Sequence, residues 1–174
     1  MRKLGKDKDK SIRFIKRTVK KIDPAYKVLV EDFRNYDDEQ PFWNGQTLRL
    51  DSGTSAGLML HDLAHLIVAS PKRRKEWEFG LGMDGNRGVF TSRSVTAKYA
   101  EQEERRACLL NWALAAYLFG VAAAYDVMDE LSSTIPNMHD ISVMHQHVNS
   151  GVLPKYFMTK VLSKYAYVSE GYLF

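Results

Sequence analysis

Five histidines occur in the 174 residues, and two of them stand four apart in His61-Asp62-Leu63-Ala64-His65. On a helix, residues four apart differ by about 40° around the axis and about 6 Å along it, so two imidazoles at this spacing can converge on one ion. This is the H-x-x-x-H arrangement of zincin-like metal helices. The surrounding residues are apolar (Leu58, Met59, Leu60, Leu63, Ala64, Leu66, Ile67, Val68), which makes the helix central and buried. Histidines in such a place need partners, because an unpaired polar group inside is costly. The alternative to a metal is a pair of core histidines bonded to backbone or carboxylates.

Two neutral imidazoles hold a divalent ion weakly, and a carboxylate adds charge and affinity. Candidates stand together at Glu101, Glu103 and Glu104, near the start of a long helical segment. The buried stripe of that helix includes Cys108, Trp112, Ala115 and Phe119, with Ala107, Asn111 and Leu118 beside it. Glu104 lies one turn before Ala107 and Cys108, at the edge of the stripe, and ranks ahead of Glu101, then Glu103. An acidic first turn that stabilises a helix N-terminus is the plainer role for all three. Asp62 is the candidate catalytic residue next to the ion. In zinc peptidases its position carries a glutamate acting as general base. Aspartate is one methylene shorter, about 1.5 Å on ordinary carbon–carbon geometry. That argues against peptidase chemistry and for orienting water or bonding a neighbouring group.

Other segments must bring these side chains together. At 174 residues, 45% hydrophobic and 26% charged, the chain has the size and composition of one globular domain with a real core. A single cysteine, Cys108, excludes a disulfide framework, a multi-cysteine zinc module and an iron–sulfur cluster, and reads as a small core residue. No apolar run approaches 18 residues, and the basic start lacks the apolar stretch of a secretory signal, so the expectation is a cytoplasmic protein with no membrane partner.

Residues 1–22 carry ten lysines and arginines against Asp7 and Asp9, +8, which leaves −4 for the rest of a chain whose net is +4. Ile12, Ile15, Val19 and Ile22 make a helical stripe there. The division is thus a basic amphipathic arm, 1–22, and a single globular metal-binding domain, 23–174. The arm either solvates a helix packed on the domain or attracts an anionic partner, such as RNA or a ribosome-associated protein. Helix is expected over about 11–22, capped by Ser11 and ended by Asp23-Pro24, with residues 1–10 frayed. Strands are expected over 26–33 and 47–50, with a turn at Asn44-Gly45. Further helices are expected over 55–69, 96–119 (ended by Gly120), 121–131, 140–148 and 155–167. The fold class is α+β, mainly helical, with a small sheet in the N-terminal half.

Three motifs follow in order: His61-Asp62-Leu63-Ala64-His65-Leu66-Ile67-Val68-Ala69, then Arg73-Arg74, then Glu78-Phe79-Gly80-Leu81-Gly82-Met83-Asp84-Gly85-Asn86-Arg87. Their order resembles the elongation factor P hydroxylase family. The resemblance spans roughly residues 55–115. It implies a two-histidine, one-carboxylate site of His61, His65 and Glu104, since Leu110 and Trp112 align with the leucine and tryptophan that follow the family's glutamate. It further implies a divalent metal with Fe(II) favoured and zinc possible, dioxygen use, and hydroxylation of a lysine in a protein substrate. Arg73, Arg74 and Arg87 would then shape or charge the substrate entrance. The chain departs from the family at Asp62 (a glutamate there), Leu66 (a tryptophan), Leu81-Gly82 (an aromatic pair) and the inserted Asn86, which marks a divergent relative.

Three rivals stand beside this reading. A zinc peptidase-like hydrolase is weakened by Asp62. A His-Asp phosphohydrolase needs a histidine well upstream, and none precedes His61. A non-catalytic relative would use the arm and Lys72-Arg73-Arg74-Lys75 to bind protein or RNA. His139, His145 and His147 read as surface or capping residues.

Overall fold

In a computed structural model, the residues described are 2–33, 41–82 and 93–130. They form a mostly helical α+β arrangement with a two-stranded sheet. Helix α1 spans Arg2–Ile22, and strands β1 (Lys27–Glu31) and β2 (Thr47–Asp51) follow. Helix α2 covers Met59–Val68, α3 covers Ala97–Phe119 and α4 covers Val121–Glu130. Two short 3-10 turns, Arg73–Lys75 and Trp77–Gly80, lie between α2 and α3. The expected helices over 140–148 and 155–167 lie outside the described residues.

Helix α1 begins nine residues before the expected cap. Ser11 is fully buried in mid-helix, and its hydroxyl donates to the Ala56 carbonyl at 2.6 Å instead of capping. The helical stripe is real: Phe14, Ile15 and Val19 sit in the core, with Ile12 and Ile22 packed against it. Full burial of such aliphatic side chains contributes about 1.5–3 kcal/mol each. That is ample to fix the helix on the domain, while Arg13, Lys16, Arg17 and Lys20 stay exposed. The end is as expected: Asp23 Oδ1 accepts from Ala25 N–H at 2.8 Å as the chain turns through Pro24.

Strands β1 and β2 pair in parallel, from Lys27 opposite Thr47 to Glu31 opposite Asp51. Before β2 the chain makes a tight reversal at Asn44-Gly45. Trp43 bridges antiparallel to Leu48, and Asn44 Oδ1 accepts from Thr47 N–H at 2.8 Å. Gly45 has φ +90°, and a Cβ there would stand 2.8 Å from the Lys75 carbonyl oxygen. Conformation and space both demand glycine.

Helix α2 is buried over most of its surface, and its broad face lies on α3. Helix α3 starts where the sequence indicates, with the Thr96 hydroxyl accepting from Tyr99 N–H at 3.2 Å, and it ends at Gly120, φ +94°. Its stripe is continuous from Ala107 through Ala116 except for half-buried Leu109. The α2–α3 seam therefore forms the middle of the described residues, and it carries the candidate site.

Candidate metal centre

His61 and His65 project from one face of α2, and Glu104 reaches them from α3. Nε2 of His61 lies 3.0 Å from Glu104 Oε1, and Nε2 of His65 lies 3.1 Å from Oε2. The two Nε2 atoms are themselves 3.1 Å apart. Bonds of about 2.0–2.2 Å to a shared ion place neighbouring nitrogen and oxygen ligands about 3.0–3.4 Å from one another. The observed separations have that size, with the two carboxylate oxygens each facing one imidazole. The rings stand edge to face, 4.7 Å between centroids and 88° between planes.

Hydrogen bonding alone serves this triangle poorly, since each N–H points at one acceptor. Burial alone would depress both imidazoles. It prevails at His61, which is held below the usual histidine range. At His65 burial is outweighed by the charge and hydrogen bond of Glu104, with Glu103 and Asp62 adding, and the pKa rises to about 9. Burial of Glu104 is likewise outweighed by the two imidazoles, which hold its carboxyl well below the usual carboxylate range. Within the cluster, Glu104 favours a proton on His65 while burial disfavours one on His61. Both Nδ1 atoms are buried with no hydrogen-bond partner among the described residues.

The three glutamates divide sharply. Glu104 meets the histidines. Glu103 is buried, and its carboxylate takes both terminal nitrogens of Arg73, with Nη2 to Oε1 at 2.6 Å. Glu101 is exposed and pairs one turn on with Arg105, Nη2 to Oε1 at 2.6 Å. Neighbouring positions on a helix point about 100° apart, so the adjacent carboxylates make their hydrogen bonds to different partners. Asp62 is half-buried outside the converging set, and its charge reaches His65.

Arg73 and Arg74 are both buried. Arg73 also donates from Nε to the Phe79 carbonyl at 2.9 Å. Arg74 donates to the carbonyls of Leu66 (2.8 Å) and Ile67 (3.3 Å). It thereby satisfies acceptors that the last turn of α2 leaves open. Arg87, like His139, His145 and His147, lies outside the described residues.

Two neighbours of the site were not singled out by the pattern of residue types. The Phe79 ring lies along the His65 imidazole, 6.0 Å between centroids and 17° between planes, and stacks on Trp43 from its own side. Glu78 and Phe79 hold this position with left-handed backbone, φ 44° and 53°. No sequence signal marks two consecutive non-glycine residues in that region. The second is Cys108, buried as expected of a core residue but with its Sγ 3.8 Å from Glu104 Oε1. His61, Glu104 and Cys108 each offer one ligand atom within 4.8 Å of the others, a group that could hold a metal ion. A signal existed here: Cys108 stands four residues after Glu104, the spacing that joins His61 to His65.

No protein-family model, curated protein or solved structure matches the chain.

Proposed function

We propose that the protein is a metal-dependent enzyme, hydroxylase-like, that binds a divalent ion through His61, His65 and Glu104 and acts on a protein side chain. The observation that carries the reading is the 3.0–3.1 Å triangle of two imidazole nitrogens and one carboxylate on two separate helices. A face of two histidines and one carboxylate leaves open positions on Fe(II), and the motif order resembling the elongation factor P hydroxylases favours that ion. Iron bound there would supply the activation of dioxygen.

The chain's own part begins with protons. Both histidines must be neutral at Nε2 to ligate, so binding expels the proton that His65 otherwise retains. Glu104 brings one negative charge, which offsets half that of a divalent ion. Phe79 and the apolar body of α2 limit water on the His65 side. Asp62 supplies a carboxylate one residue from a ligand, and its charge favours a proton on His65. In the overall reaction a C–H bond of substrate and one dioxygen, with two electrons and two protons, give C–OH and water. The electrons come from an external reductant.

The test begins with elemental analysis of protein purified without chelators and of Glu104→Gln. About one ion per chain is expected in the first and a large loss in the second. At ion concentrations near 100 times Kd, the melting temperature should rise by roughly 5–10 °C, the equivalent of about 2.7 kcal/mol, and fall back with EDTA. Iron-loaded protein with reductant and a lysine-bearing substrate, elongation factor P first, should consume dioxygen and add one oxygen atom to the substrate. Failure to bind any ion overturns the centre. Binding without substrate-dependent oxygen uptake overturns the hydroxylase.

A further inference from the structure

We infer that Cys108 is a fourth ligand of this centre, entering as thiolate, so that the ion it takes belongs to the thiophilic class and not to the purely oxygen-seeking one. The inference rests on the metal-centre part of the preceding reading and not on the hydroxylase part.

The geometry is set by one helix. Glu104 and Cys108 are one turn apart on α3, so their side chains rise side by side toward α2. Sγ stands 3.8 Å from Glu104 Oε1, and within 4.8 Å of the ligand atom that His61 offers. A metal–sulfur bond of about 2.3 Å and a metal–oxygen bond of about 2.0 Å, at a tetrahedral angle, separate sulfur from oxygen by about 3.5 Å. At 3.8 Å the thiol stands close to that separation from the carboxylate, and His61 completes a group of three whose ligand atoms lie within 4.8 Å of one another. Without an ion, Sγ–H points to the same carboxylate oxygen that His61 contacts. An entering cation would displace the thiol proton, which leaves to solvent as the sulfur ligates.

A thiolate changes which ions the site prefers. Two imidazoles and a carboxylate alone accept Mn(II) and Fe(II) as well as Zn(II), whereas sulfur favours zinc, cadmium and cobalt over manganese and magnesium. It also adds a second negative charge, leaving a divalent ion neutralised by the protein. On a four-coordinate ion the protein set would be complete, whereas a six-coordinate ion would keep two positions open.

Cobalt(II) gives a direct readout, because thiolate–cobalt bonds produce an intense near-ultraviolet charge-transfer band. Cys108 is the only cysteine in the chain, so such a band has one possible source. The full-length protein titrated anaerobically with Co(II) should develop the band to saturation at about one ion per chain. Cys108→Ser should lose it while still binding cobalt through the remaining ligands. The ratio of Cd(II) to Mn(II) affinity should fall about tenfold or more in that variant.

Wild-type protein that binds Co(II) without the band overturns the inference and leaves the centre standing. Wild-type protein that binds no Co(II) at all overturns both. Because the wild-type spectrum decides, the test survives a Cys108→Ser chain that fails to fold.

Discussion

Glu103 and Glu104 are neighbours in sequence and opposites in circumstance. Glu103 faces Arg73 in a buried, two-pronged pair in which donors and acceptors match. Glu104 faces two histidines and a thiol, and both imidazole Nδ1 atoms are buried with no hydrogen-bond partner among the described residues. The first cluster is complete without any addition. The second is arranged around a point that a cation would fill. Position along the chain says little about which carboxylate belongs to which group. The 100° turn between successive helical residues decides it.

The largest expected effect comes from breaking the complete cluster. Arg73→Met leaves Glu103 as an uncompensated buried charge and should destabilise the protein by about 3–5 kcal/mol, read as a lower urea midpoint. Joining it to Glu103→Leu should recover most of that loss. If the double variant is no better than the single, the pair was not the cause.

A smaller effect separates the clusters by pH. In the metal-free protein, His65 has a pKa raised to about 9 beside Glu104. A raised pKa makes a contribution to stability that is whole below the ordinary value of 6.5 and is lost as pH climbs through about 9. Glu104, held low, contributes above its ordinary value of 4.5 and loses that contribution on acidification. The urea midpoint of metal-free protein should therefore decline between pH 6.5 and 9. Glu104→Gln should flatten the decline, and an unchanged slope would assign the titration to another group. The Arg73–Glu103 pair should be indifferent over the same range, since arginine keeps its proton throughout.

The smallest effect concerns a third polar side chain on the same helix. Asn111 is fully buried, and neither amide atom has a partner among the described residues. It lies two turns beyond Glu104 and one turn beyond Cys108 on the same helix. Asn111→Leu, close in volume and free of polar atoms, should stabilise by about 1 kcal/mol and raise the melting temperature by roughly 2–4 °C. A loss of metal affinity in that variant would instead tie the amide to the centre.

Much of the fold was legible where a local rule and the tertiary structure agree. Thr96 and Gly120 bracket α3 as a cap and a stop should, and Asn44-Gly45 makes its turn. The start of α2 was not legible. Ser55 occupies a plausible capping position, but its hydroxyl accepts from Leu58 N–H in a preceding turn, and the regular helix opens only at Met59. Ser11 misled for the opposite reason, since a buried serine can spend its hydroxyl on a distant carbonyl. The candidate site was legible as far as helical periodicity reaches, which covers His61, His65 and the preference for Glu104. The placement of Arg73 was not, because a cationic run of four reads as solvated surface until a carboxylate thirty residues on is folded over it.

The left-handed pair Glu78-Phe79 sets a condition on everything near it. Each such residue costs about 1–3 kcal/mol and persists only because its surroundings hold it there. Trp43 accepts from Glu78 N–H at 2.8 Å, and Arg73 grips the Phe79 carbonyl. The loop is thus a loaded latch with its catch at Arg73 and its far end on the face of His65. Damage to the complete cluster would not stay local: without the catch, the aromatic wall beside the imidazole is left to rest on Trp43.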